Sequence, residues 1–308
     1  MKKLFFSLTL LFVICVLSSV IVIICEIFLR SIGLGEPIIY EENIAYGYAP
    51  LPNQESIRLR KSRVKINSSG LRSDQEWTKE NVKKILFLGD SVTYGGSYID
   101  NPRLFSEQVC KQLSDYDVCG NAGVNSYGIL NMVLRSRYDY RISDADIVVF
   151  VVINGDFTRG ITSSNVAHYF LNNPKTYFPA VEEALSFIGY KYDINKFISK
   201  SGSKPSDEKL YNNSVIGAIE FAIITLNDEI ERLNKKGKKV YVFYSPYLNE
   251  ISSKKQNTAS SMIKEDVTNL IDMTEYFKNK KNLFYDNVHY ENSGHDLVAQ
   301  IISETIER

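Results

Sequence analysis

Two short segments carry residue types that can do chemistry together. Lys84–Gly95 reads KILFLGDSVTYG, an apolar run that ends in Gly-Asp-Ser and then more glycine. Ile85–Leu88 has the continuous apolar character of a parallel strand buried on both faces. Gly89 and Gly95 let the chain turn sharply, so the Ser91 hydroxyl falls at the carboxyl end of that strand, where open α/β sheets bind ligands. A serine becomes a nucleophile only with a base, a group that orients the base, and donors for the oxyanion. Near the far end, Tyr285–His295 reads YDNVHYENSGH. Asp286 and His289 stand three residues apart, a spacing that sets a carboxylate against one imidazole nitrogen and leaves the other free to face a hydroxyl. Taken alone, Asp286 reads better as a turn cap and His289 as a surface histidine. The pairing with Gly-Asp-Ser favours a Ser-His-Asp hydrolase.

The elements that must position these residues alternate. Strands are expected at Ile85–Leu88, Asp117–Asn121, Asp146–Ile153, Val240–Tyr244 and Leu283–Tyr285. Helices are expected at Leu104–Leu113, Ile129–Tyr138, Val215–Leu233, Asp266–Phe277 and Gly294–Ile306. Asp146–Ile153 (DIVVFVVI) is the most apolar of the strands and suits the middle of a sheet covered on both faces. Alternation of this kind implies a parallel sheet with right-handed crossovers. Residues 33–83 carry Pro37, Pro50 and Pro52 without sustained periodicity and read as a linker and N-terminal appendage, with Val64–Ser73 as a candidate edge strand. Residues 157–213 are too long for an ordinary connection and read as a lid, a binding insertion or a small helical subdomain. Tyr169, Tyr177, Tyr190, Tyr192 and Tyr211 lie there and are candidates to line a groove.

Together these segments resemble the SGNH/GDSL hydrolases, whose blocks begin with a Gly-Asp-Ser strand end and finish with Asp-x-x-His. The resemblance covers residues 84–308, the expected hydrolase domain. It implies a three-layer, flavodoxin-like parallel sheet of about five strands with helices on both faces. It also implies catalysis without a cofactor: Ser91 as nucleophile, His289 as base and then acid, Asp286 fixing the tautomer. The oxyanion hole would use the Ser91 backbone N–H, a backbone N–H of the second block and the Asn154 side chain of the third. One such donor is worth about 3–4 kcal/mol in acyl transfer. Two departures stand out. The third block reads Asn154-Gly155-Asp156 in place of Asn-Asp. In the second, NAGVNSYG, Ser126 stands where the donor glycine is expected, with Gly123 and Gly128 as alternatives.

Composition narrows the partners. Lys plus Arg equals Asp plus Glu at 36 each, a formal net charge of zero that gives no footprint for nucleic acid. Leu4–Cys25 is 22 residues without a charge, preceded by Lys2 and Lys3 and followed by Glu26 and Arg30. That length crosses a hydrocarbon core of about 30 Å. It exceeds a signal-peptide core and lacks a small-x-small cleavage site, so residues 1–32 are expected to be an uncleaved, single-pass transmembrane helix with the remainder outside the cytoplasm. Cys15 and Cys25 lie in that helix. Cys110 and Cys119 lie in the exported part, where a disulfide is chemically permitted. With three histidines and no Cys-x-x-Cys pair there is no metal-ligand cluster in the sequence. His295, at the start of the closing helix, reads as a capping or packing residue. His168 has no visible partner.

The expected function is a membrane-bound serine esterase acting on O-acetyl groups of a cell-envelope polysaccharide. Transfer of the same acyl group to a glycan, a lipase or thioesterase activity, and a catalytically silent glycan-binding role are the alternatives.

Overall fold

The computed structural model describes residues 2–78, 80, 82–162, 177–191, 208–252 and 258–308. A long helix, α1 (Lys2–Ser31), leads into two antiparallel hairpins, β1 (Tyr40–Asn43) with β2 (Gly47–Pro50) and β3 (Gln54–Ile57) with β4 (Arg63–Ile66). The central sheet comprises β5 (Lys84–Gly89), β6 (Val118–Asn121), β7 (Ile147–Val152), β8 (Lys239–Tyr244) and β9 (Leu270–Asp272), all parallel, in spatial order β6-β5-β7-β8-β9. Numbered within the sheet this is 2-1-3-4-5, the flavodoxin-like order. Its chain reversal lies between β5 and β7, and that switch point is where doubly wound sheets bind ligands.

Period-two alternation in the strands sends side chains to two cores. Leu86, Leu88, Val148, Phe150, Val152, Val242 and Tyr244 join one cluster. It is covered by α4 (Ile129–Tyr138) and α6 (Glu208–Lys235) and by Tyr40, Tyr48, Val64 and Ile66 of the hairpins. Ile85, Phe87, Ile147, Val149, Val151 and Phe243 join the other, covered by α3 (Phe105–Gln112) and α9 (Asn292–Glu307). Every residue of β5 and β7 is buried, as their unbroken apolar sequences require. Cys110 of α3 and Cys119 of β6 are joined by a disulfide, with Cα atoms 5.8 Å apart.

Two expectations are corrected. The fifth strand is not Leu283–Tyr285 but Leu270–Asp272, inside the segment expected to be a helix from Asp266 to Phe277. The apolar spacing of that segment fits a helix on paper. However, α8 (Thr258–Asp266) ends there, and Asn269 takes a left-handed conformation (φ 54°) that breaks helical propagation and starts β9. Val64–Ile66 pairs with β3 in a separate two-stranded sheet and adds no edge to the central one.

Candidate active site

The turn that carries Ser91 forms because β5 ends on a glycine that a larger residue cannot replace without a clash. A Cβ at Gly89 would lie 1.9 Å from Thr93 Oγ1 and 2.7 Å from the Val151 carbonyl. Asp90 then caps α2 (Ser91–Tyr94), its Oδ1 accepting from Val92 N–H at 2.8 Å. Ser91 is the first helical residue, so its backbone N–H has no acceptor within the helix.

The loop that carries Asp286 and His289 follows α7 (Leu248–Ser252), β9 and two short 3-10 turns. Tyr285 N–H donates to the His289 carbonyl at 2.8 Å, and Phe284 bridges Tyr290 in antiparallel fashion, closing residues 284–290 into a tight loop. Tyr290 nails the loop to the core. It is buried, stacks on Phe277 at 5.0 Å and hydrogen-bonds Ser245 Oγ at 2.5 Å. Inside the loop, Asp286 Oδ1 accepts from Val288 and His289 N–H, each at 2.8 Å. Its Oδ2 accepts from His289 Nδ1–H at 2.8 Å, and Ser91 Oγ–H donates to His289 Nε2 at 2.8 Å. The structure therefore brings Ser91, His289 and Asp286 into one hydrogen-bonded chain across 198 residues of sequence.

The charges in this chain are set by competing effects. Burial raises Asp286, but the His289 ring and the two backbone donors outweigh it, bringing its pKa down to about 2. Burial lowers His289, but the bond to Asp286 and its charge prevail and the imidazole pKa is raised. His295 does not join the group. It is fully buried, stacks on Phe105, accepts from Phe105 N–H at Nδ1 (3.2 Å), and burial pushes its pKa down to about 3, so it stays neutral. His168 lies outside the described residues, as do Tyr169 and Tyr192. Tyr190 and Tyr211 fall within helices, and Tyr177 is fully exposed.

The expected oxyanion donors are distributed as follows. Ser126 sits at φ 65°, the left-handed conformation that a glycine would take without strain. Its N–H makes no hydrogen bond among the described residues, whereas Gly123 N–H is held by Asn121 Oδ1 (2.9 Å) and Gly128 N–H by Asn131 Oδ1 (3.3 Å). A Cβ on Gly123 would lie 2.3 Å from Tyr94 N, so this glycine serves close packing of the second block against the nucleophile helix. Asn154 follows β7, the strand beside β5, and donates one amide hydrogen to Ser260 Oγ at 2.8 Å.

One cluster was not foreseen from the sequence. Arg159 Nη1 donates to Asp90 Oδ2 (2.9 Å), Asp156 Oδ1 (2.7 Å) and the Tyr127 carbonyl (2.9 Å). A single guanidinium nitrogen thus ties together the turn of Ser91, the turn of Asn154 and the residue after Ser126. Burial and the neighbouring Asp90 carboxylate push Asp156 well above the usual carboxylate range, while Asp156 also accepts from Ile153 N–H at 2.9 Å. Burial lowers Arg159, yet the two carboxylates hold it firmly cationic. The extra Gly155 in the third block donates its N–H to Tyr247 Oη at 3.0 Å, and burial raises the Tyr247 phenol to about 12. The signal available in the sequence was the acidic residue on each side of the site, at 90 and 156, with one arginine three residues on.

At the rim, Tyr98 and Tyr285 stack at 4.1 Å, and the Arg60 guanidinium lies 4.9 Å from the Tyr285 ring centre while pairing with Glu291 at 2.8 Å. Among the described residues, no three His, Cys, Asp or Glu side chains converge in a way that would hold a metal ion.

No protein-family profile and no curated protein matches this sequence. Solved structures similar to it include an acetyl xylan esterase, AlAXEase, at 18% identity over 72% of this chain and 99% of that one (TM-score 0.43). A lipase/acylhydrolase from Enterococcus faecalis is 15% identical over 73% of this chain and 95% of that one (TM-score 0.44). A G-D-S-L family lipolytic protein from Veillonella parvula is 12% identical over 73% and 99% (TM-score 0.41).

Proposed function

We propose that the protein is a serine esterase of the SGNH/GDSL type, with Ser91 as nucleophile, His289 as general base and then acid, and Asp286 as the orienting group. The observation that carries this reading is the Asp286–His289–Ser91 chain, with contacts of 2.8 Å on both sides of the imidazole, at the ligand-binding end of a doubly wound sheet. Ser91 Oγ attacks the ester carbonyl as its proton passes to His289 Nε2. The imidazolium then gives that proton to the departing alcohol oxygen, leaving an acyl group on Ser91. Water, deprotonated by the same nitrogen, releases the acid and restores the serine. Asp286 carries the charge that makes the imidazolium favourable, and the N–H groups of Ser91 and Ser126 with the Asn154 amide receive the oxyanion.

The proposed substrate is an O-acetyl group on an envelope polysaccharide. The half-exposed Tyr285 ring, held against Tyr98 beside Asp286, offers a flat apolar surface with a polar edge, which suits a sugar ring. A sugar hydroxyl taking the place of water would turn hydrolysis into transfer. Residues 84–308 form the hydrolase unit in this reading, 33–83 the appendage, 157–213 the insertion, and 1–32 a single-pass anchor with the enzyme outside the cytoplasm. The disulfide suits such a compartment. The test is labelling with a fluorophosphonate, mapped by peptide mass, together with acetate release from acetylated glycan compared with octanoyl ester hydrolysis. Labelling at Ser91 and an acetyl preference are expected. Absence of labelling removes the serine mechanism, and an octanoyl preference removes the polysaccharide substrate.

A further inference from the structure

The helix α5 (Pro179–Lys191) buries Ala180 and Glu183 near its start and leaves the turn 185–188 exposed. At 100° per residue, Val181, Ala184, Leu185, Phe187 and Ile188 fall on one arc, and Glu182, Glu183 and Ser186 on the other. In a water-soluble domain the apolar arc faces the core. Here the residue that α5 buries most deeply on its polar arc is Glu183, whose carboxylate pairs with buried Arg58 and accepts from Gly35 N–H at 2.6 Å. Leu185, Phe187 and Ile188 are 63%, 53% and 45% exposed.

The start of α5 is fixed to the end of α1. Glu26, itself buried, accepts from Ala180 N–H and Val181 N–H at 3.0 Å each, capping α5, and Arg30 donates to it at 2.7 Å. The most apolar 18-residue window within Ser7–Ser31 has a mean hydropathy of 3.1, and none of that window is buried by the rest of the protein. Glu26 and Arg30 stand where such a span leaves the hydrocarbon, so the first turn of α5 lies at that level. From α5 the ion pair Glu183–Arg58 leads into the β3–β4 loop. Two residues on, Arg60 pairs with Glu291 and lies against Tyr285, the neighbour of Asp286.

We propose that α5 is an interfacial helix whose apolar arc lies in the headgroup–acyl boundary of the leaflet from which α1 emerges, holding the catalytic loop 285–291 close above that leaflet. The proposal rests on reading α1 as an anchor. Lipid is the occupant because α5 starts on the Glu26 cap at the exit of the uncovered span and its exposed arc carries Leu185, Phe187 and Ile188, side chains that bury in the headgroup–acyl boundary. The paired and capped charges Glu26, Arg58 and Glu183 make the junction a rigid bracket and not a loose tether.

The full-length chain, with Cys15→Ala and Cys25→Ala to free the anchor of thiols, is reconstituted in phosphatidylcholine/phosphatidylglycerol nanodiscs. An environment-sensitive fluorophore is placed in turn at Phe187→Cys, Val20→Cys and Lys278→Cys, and quenching by lipids spin-labelled near the headgroup end of the acyl chain is measured. Unchanged thermal melts by circular dichroism show that each variant is folded. Quenching at 187 that approaches that at 20, with little at 278, is expected. Quenching at 20 without quenching at 187 overturns the proposal, as does crosslinking of two copies through position 187 with no lipid quenching, which gives the arc to a second copy. An intact mass lacking residues 1–31 overturns the anchor reading itself, and the interfacial helix falls with it.

Discussion

At the triad, the same hydrogen bond that orients His289 also raises its proton affinity. Only the neutral ring accepts the Ser91 proton, so kcat/KM should fall as pH drops through a midpoint above about 6.5, the ordinary histidine value. Asp286→Asn removes the charge that raises it, and the limb should move to lower pH while the rate falls by about 10⁴-fold. A pH–rate profile of both proteins on p-nitrophenyl acetate checks this, and an unmoved limb refutes the assignment. Ser91→Ala or His289→Ala should cost about 10⁶-fold in kcat with an unchanged melt. Arg159 is a positioning residue for the turns that carry Ser91, Ser126 and Asn154. Arg159→Met should lower kcat by about 10–100-fold with KM nearly constant, since small misplacements of catalytic groups cost on that order. A rise in KM alone would instead make Arg159 a substrate contact. Ser126→Gly relieves a left-handed serine whose strain is about 1–2 kcal/mol. After the entropy that glycine adds to the unfolded chain, a Tm gain of about 2 °C with activity retained is expected by calorimetry.

Among the elements, the disulfide joins the end of α3 to the first turn of the sheet's edge strand β6. Closing a loop of about ten residues stabilises by roughly 2–3 kcal/mol in the chain-entropy account. Cys110→Ser/Cys119→Ser should therefore lower the urea midpoint while leaving kcat near its original value, because neither residue touches the triad. How much of the fold was legible follows from the same local logic. DIVVFVVI and KILFLG announce buried parallel strands because they are short apolar runs within an alternating pattern, the first rich in β-branched residues, and the glycine after KILFL marks the turn. Asp286 and His289 were legible because both lie in one tight loop whose spacing already satisfies the contact. The strand Leu270–Asp272 was not, since three residues at a sheet edge carry too little periodicity to outweigh a helix-compatible pattern around them. Arg159 was hidden for a different reason. Asp156, three residues before it, is its one local signal, and its partners at 90 and 127 reach it only after separate loops have packed.

For the molecule as a whole, the anchor reading predicts a membrane-bound product that keeps Met1. Intact mass and fractionation check this, and a new N-terminus between about residues 19 and 35 would show a cleaved leader instead. Glu26→Gln should weaken the cap on α5 by about 1 kcal/mol without releasing the protein from the membrane, visible as faster amide exchange in residues 180–184. Ser91 and His289 meet across 198 residues of sequence, and Arg60 meets Glu291 across 231. Read in terms of biogenesis, this separation acts as a safety. A chain synthesised from its N-terminus carries Ser91 long before His289, and Arg60 has no Glu291 to pair with until the final stretch arrives. A chain clipped before residue 286 therefore cannot assemble the Asp286–His289–Ser91 hydrogen-bonded chain, whatever the state of its sheet.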